Sequence, residues 1–251
     1  MKKVSTALSD PLKVLRINTR IVIMDLSYNF ISMEVHSVGL RRNPSSTRDG
    51  SHSAPSSTDT FHLDLLLSCL QAAKAYLDTL LAMSVTHYRL LSFVEWMRLP
   101  RVLAIVCKLC VPSNNYADIH WDYHTVQERV RVDIYLESLC YRMHSLTTFD
   151  NTSQPLPDFW ILLKTLLERI RSWYMYKIRS STEEAATARD ADILPHGPAI
   201  RQQVSANGYE ALESDEAVLS PIPKLAEMDR MMNNLESPFW ASNLFDVAMV
   251  F

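Results

Sequence analysis

Glycine is nearly missing from this chain. Gly39, Gly50, Gly197 and Gly208 are the only four among 251 residues. Folds rich in β-structure place glycine at tight turns and bulges, so this scarcity points to helices joined by polar loops. It also removes the glycine-rich loops that cradle phosphates, and no Walker, dinucleotide-binding or G-x-S-x-G pattern occurs. A basic excess is lacking too. The formal net charge is −3, whereas a chain that grips duplex DNA unaided normally carries a clear surplus of cations. No uninterrupted apolar run approaches the roughly 18–20 residues of a bilayer span, so no membrane partner is expected. Lys2 and Lys3 are followed by the mixed run VSTALSDPLKVL, which is no signal-peptide core. Cysteine is sparse. Cys69, Cys107, Cys110 and Cys140 all sit in strongly apolar stretches and read as reduced, buried thiols of an intracellular protein.

What is present describes a folded chain. Apolar residues make up 47% and charged residues 21%, too apolar a balance for disorder. The expected fold is all-α: a multi-helix bundle with polar loops and a partly disordered linker near the C-terminus. Residues 1–179 form the helical domain, 180–222 an acidic linker with room for one marginal helix, and 223–251 an acidic and aromatic tail. The first helix runs from Pro11 to about Gly39. Leu12, Leu15, Thr19, Val22, Ile23, Leu26, Phe30 and Met33 trace its apolar face, with Lys13, Arg16 and Arg20 on another. Residues 40–60, rich in serine, threonine and proline, read as a mobile loop.

The segment from Leu63 to Met83 is the clearest helix. Asp64, Ser68, Gln71, Lys74 and Asp78 form one thin polar stripe, which predicts burial on most of its circumference at the centre of the bundle. In SFVEWMRLPRVLAIVCKLCVP, Ser92 and Glu95 make a capping-box pattern. Pro100 is expected to kink or divide that helix. Asp122 starts a helix through about His144, whose apolar face is read as Val126, Val130, Ile134, Leu136, Leu139, Cys140 and Met143. Asp158 caps the next helix, which carries a Glu168–Arg171 pair across one turn.

Two constellations could carry chemistry. Cys107, Cys110, His120 and His124 have a spacing near that of a zinc finger. The usual finger holds its cysteines on a β-hairpin, however, while these end an apolar helix. The favoured reading is two buried thiols and two exposed histidines. HWDYH puts two histidines one turn apart, but Trp121 stands where a zincin needs its glutamate. Asp122 reads as a helix cap and Trp121 as an anchor. The aromatic pairs Phe159–Trp160 and Trp173–Tyr174 suit core packing better than a ligand pocket. The acidic pair Glu183–Glu184 falls in the expected linker. No catalytic, cofactor-binding or metal residue is assigned, and no cofactor is expected.

Three stretches together carry a resemblance. They are LLSCLQAAKAYLDTLLAMSVTHYRLLSFVEWMRLPRVLAIVCKL, then IHWDYHTVQERVRVDIYLESLCYRM, then FWILLKTLLERIRSW. This order resembles the regulatory region that follows the DNA-binding domain in fungal zinc-cluster transcription factors, and LKVLRINTRIVIMDLSYNF is similar to the helix preceding that block. The resemblance implies a nuclear, non-enzymatic regulator of transcription, in keeping with a secondary-metabolite gene cluster. It also implies protein partners, either a full-length transcription factor or a coactivator. Pro100 departs from the pattern. So does the lack of six clustered cysteines, of a basic linker and of a heptad array, so no DNA contact carries over and none is expected from this chain alone. The tail NLESPFWASNLFDVAMVF fits an activation segment, or else Phe239, Trp240, Leu244 and Phe245 fold back onto the bundle. The alternatives are a metal protein or enzyme using Cys107, Cys110, His120 and His124, and a truncated gene remnant.

Overall fold

The computed structural model describes residues 11–41, 57–113, 121–147 and 159–191, together with residues 228, 229 and 232. Among the described residues every regular element is a helix: α1 (Pro11–His36), a 3-10 turn (Ser37–Arg41), α2 (Ser57–Ala82), α3 (Val85–Tyr88), α4 (Phe93–Cys110), α5 (Tyr123–Val130), α6 (Val132–Leu146) and α7 (Phe159–Ala191). The fold is an all-α bundle, as expected. Residues 42–56 of the expected loop lie outside the described residues, and 57–60 belong to α2.

The centre is α4 more than α2. From Val102 to Cys110 every side chain except Lys108 is fully buried. Helices α1, α2, α5 and α6 all touch α4. On α2, Leu66, Cys69, Leu70, Ala73, Tyr76, Leu77 and Leu80 enter the same core, while Phe61 and Leu67 remain exposed. Its wet face is therefore broader than the thin polar stripe suggests. By length and composition alone, Thr60–Ala82 could cross a membrane, a property hidden by counting only uninterrupted apolar runs. In the fold those residues pack on α1, α4 and α6.

Pro100 does not divide α4, which runs unbroken through it. Proline removes the amide that would bond the Trp96 carbonyl, a local cost of about 3 kcal/mol. Pro100, Leu99, Val102 and Leu103 are all buried, and burial of this order, about 1.5–3 kcal/mol per large side chain, offsets it. The Ser92 cap forms, its Oγ accepting from the Glu95 amide at 3.4 Å. The other half of the capping box does not. The Glu95 carboxylate takes the Arg98 guanidinium at 2.8 Å instead, because Glu95 is buried and a buried carboxylate needs a paired charge.

Asp122 caps α5 as the sequence suggests. Its Oδ1 accepts from the amides of His124 at 3.0 Å and Thr125 at 3.2 Å. The Trp121 indole donates to the Leu109 carbonyl at 2.9 Å, and Gln127 Nε2 donates to the Cys110 carbonyl at 2.6 Å. These two side chains satisfy carbonyls left free at the C-terminus of α4.

The single helix expected from Asp122 to His144 is two. Arg131 stands between α5 and α6 with φ 52° and ψ 57°, in the left-handed region. This break changes which residues face the core. An unbroken helix would carry the Val126–Val130 row on to Ile134. Instead Val132, Tyr135, Leu136, Leu139, Cys140, Met143 and Leu146 are buried, and Ile134 is exposed.

Helix α7 continues to Ala191, past the boundary expected at 179/180, and includes Glu183. Glu168 pairs with Lys164 at 3.3 Å and Arg171 with Glu137 of α6 at 3.2 Å. The expected Glu168–Arg171 pair is not the one formed, since Arg171 reaches the neighbouring helix. Asp158 lies outside the described residues.

A left-handed conformation costs a residue with a Cβ roughly 1–2 kcal/mol. Arg131→Gly should therefore raise stability by about 0.5–1 kcal/mol, and Arg131→Val should lower it by more than that. Urea melts of the two variants with an unchanged m-value check this.

Candidate interaction surface

Of the residues with apparent zinc-finger spacing, the three described ones, Cys107, Cys110 and His124, do not form a metal site. Cys107 and Cys110 lie one turn apart on α4, both buried. Burial, and secondarily the neighbouring Cys110, pushes the Cys107 thiol well above its ordinary range. Burial pushes Cys110 to about 12. A zinc ligand must be a thiolate, and this environment opposes ionisation. His124 is turned to solvent, with its side chain 81% exposed and Nδ1 3.5 Å from Glu128 Oε1. His120 lies outside the described residues. Among the described residues no group of three or more His, Cys, Asp or Glu side chains is placed to hold a metal ion.

The aromatic pairs are packing elements. Tyr88, Trp96, Trp160 and Phe159 form a chain of edge-to-face contacts, each with centroids 5.2 Å apart, and Phe93 joins Phe159 at 5.9 Å. Trp173 and Tyr174 are buried. The Trp173 indole donates to Asp229 Oδ1 at 2.8 Å, and Lys177 approaches the same oxygen at 2.9 Å. Met228 and Met232 are buried in the common core, so part of the expected tail segment docks on the bundle. Phe239, Trp240, Leu244 and Phe245 lie outside the described residues.

Charged side chains fix the helices to one another. Arg98 Nη1 donates to Ser27 Oγ of α1 at 2.8 Å, and its guanidinium stacks over Phe30 at 5.1 Å. Arg101 grips Glu34 through two bonds of 2.8 and 3.3 Å. Both lock α1 onto α4. At the other end Arg142 of α6 donates to the carbonyls of Leu81, at 2.5 Å, and Met83. It also donates to Tyr88 Oη at 3.1 Å, while that hydroxyl donates to the Leu80 carbonyl at 2.9 Å. One guanidinium thus satisfies the C-terminus of α2 and ties it to α6.

The strongest candidate surface is the outer side of α1. Leu26 and Met33 are fully buried, and Val22, Ile23 and Phe30 pack against the core. The side chains of Leu12 and Leu15 lie outside those described. Turned away from the core, Ile21, Met24, Tyr28, Ile31 and Val35 of α1, and Val38 of the following 3-10 turn, are between 52% and 72% exposed. They follow one another at alternating three- and four-residue steps, a heptad rhythm that is visible in the sequence once the buried face is known. A contiguous apolar strip of this kind marks an interaction site more often than a solvated helix.

No protein-family model, curated protein or solved structure matches the chain.

Removing the Arg142 fork leaves α2 carbonyls unsatisfied, so Arg142→Ala should lower unfolding free energy by about 2–4 kcal/mol. Arg142→Lys should recover only part of this, because an ammonium cannot reproduce the fork. Chemical denaturation measures both. Burial also raises Cys69 to about 12 and Cys140 to about 11. At pH 8 all four thiols should resist a disulfide reagent in the native protein and react at once in denaturant. Cys140, raised only to about 11, should be the first to react natively.

Proposed function

We propose that this chain is a non-enzymatic regulator of transcription of the fungal zinc-cluster type, acting in the nucleus through protein contacts and serving a secondary-metabolite gene cluster. Two things support the reading. One is the resemblance carried by the stretches from Leu66 to Leu109, Ile119 to Met143 and Phe159 to Trp173. The other, on which the emphasis on protein contacts rests, is the exposed apolar strip of α1. The helical domain pairs with or gates a transcription factor or coactivator, and the partner supplies the DNA contacts. The formal charge of −3 is consistent with that division of labour.

Deleting the gene should change the transcripts of a clustered set of genes, read by RNA sequencing, and an unchanged transcript profile sinks the proposal. Purified protein alone should not retard promoter DNA in a shift assay. Salt-sensitive, sequence-specific retardation by the chain alone would contradict action through a partner. Stoichiometric zinc that disappears in Cys110→Ser would replace this reading with the metal-protein alternative.

A further inference from the structure

We infer that the seat on α7 held by Met228, Asp229 and Met232 is an exchangeable peptide site. It takes a short helical segment of a partner protein that carries two unbranched apolar anchors one turn apart, with an acidic residue directly after the first. The seat belongs to α7 and not to the strip on α1, and the inference does not rest on the transcriptional reading.

The occupant in place shows what the seat reads. Residues 228, 229 and 232 are all helical. Met228 and Met232 therefore stand one turn apart on one face, with Asp229 beside them. Both methionines are buried, at 0% and 1% exposure, in the same cluster as Ile170, Trp173 and Tyr174 of α7. This is the helix-in-groove mode of recognition, with anchors at i and i+4. The polar contact beside the anchors adds selectivity. Asp229 Oδ1 accepts from Trp173 Nε1 at 2.8 Å and meets Lys177 Nζ at 2.9 Å. Trp173 and Lys177 are themselves one turn apart on α7. The Trp173 side chain is buried, so its N–H needs an acceptor supplied by whatever fills the seat. Lys177 favours a charged acceptor over a neutral one. An apolar segment without the acid would leave the indole donor dry and unpaired. The seat thus selects a pattern and not merely an apolar surface.

Three features make the occupant replaceable. The side chains of Lys177 and Asp229 are 30% and 42% exposed, so the clasp is open to water and salt and holds weakly. The anchors are methionines, which adapt to a site instead of fitting one shape, as on surfaces that accept more than one partner. Positions 192–227 lie between Ala191, where α7 ends, and Met228. Lifting the segment away therefore breaks no junction between the described helices. A tethered segment competes with a partner's segment through its local concentration, so a partner must bring a stronger copy of the same pattern. Leucine in place of either methionine conserves volume and gives such a copy.

A fluorescein-labelled peptide with the sequence of residues 224–236 probes the seat, titrated with the full chain and read by anisotropy. The wild-type chain should bind it about tenfold more weakly, or less, than a Met228→Ser, Met232→Ser chain, whose resident segment has lost its anchors while the seat is untouched. Asp229→Lys opens the seat with both methionines kept, should the double variant lose helix content. To the opened chain, a peptide with leucine at both anchors should bind within about threefold of the native sequence. One with alanine at both should bind at least about tenfold more weakly. Lys177→Glu in the opened chain should weaken the native peptide about three- to fivefold and improve binding of a peptide bearing Asp229→Lys. No binding to either opened chain up to about 1 mM overturns the inference. So does loss of helix content in both, which would make the segment a fixed part of the core. Equal binding to wild-type and opened chains overturns it too, because the peptide then sits elsewhere. Binding that is indifferent to the alanine replacements and to Lys177→Glu overturns the proposed pattern.

Discussion

The second half of α4 has no dry side to give away, because all of it is dry. Nine consecutive positions from Val102 to Cys110 contain one side chain, Lys108, that reaches partly towards water. Burial, and then the nearby Arg101, pushes even that ammonium below its ordinary value. A helix with apolar residues around its whole circumference is stable in water only when other helices enclose it. The rest of the bundle can be understood as that enclosure. Helix α1 closes one side through Leu26 and Met33, α2 another through Leu66 to Leu80, and α6 and α7 complete the wall. The same enclosure explains why Pro100 is tolerated and why the cysteines of α4 are poor nucleophiles.

Enclosure creates a second problem, because helix ends inside a bundle expose carbonyls that water cannot reach. This chain meets it with side chains from elsewhere in the sequence. Trp121 and Gln127 cover the end of α4. Arg142 and Tyr88 cover the end of α2. The short α3 and α5 are explained by this role more than by any area they bury, since they deliver Tyr88 and Gln127 to those places, and Trp121 stands just before the α5 cap. Charged side chains join helices in the same manner. Arg98 and Arg101 give α4 its grip on α1, and Lys74 and Asp78 of α2 both bond the Tyr135 hydroxyl of α6.

Local chemistry was legible in the sequence. The Ser92 and Asp122 caps, the four buried thiols, the anchoring role of Trp121 and the packing role of Trp173 and Tyr174 all follow from short-range rules, and the structure bears them out. Long-range partners were not legible. Nothing near Glu95 says that it prefers Arg98 to the backbone, and nothing near Arg171 points to Glu137. Arg131 was invisible because arginine is a good helix former and its neighbours suit a continuous helix. The break comes from the need to turn Val132 and Leu136 into the core, which is tertiary. The outer strip of α1 was present in the letters all along. It was masked by the buried stripe on the same helix, since two apolar faces at nearly equal periods blur into an even scatter.

Arg131 also bears on how this chain could change over time. Within a continuous helix, gaining or losing one residue rotates everything beyond it by about 100° and turns a buried row towards water. Here the two halves already follow separate helical phases, joined at one residue that lies outside both. A length change at this joint leaves Val126 and Val130 on their wheel, and Leu136, Leu139 and Met143 on theirs. The joint is thus the place in the α5–α6 stretch most open to insertion or deletion. Any comparison that draws residues 123–146 on a single wheel will set the second half two positions out of step.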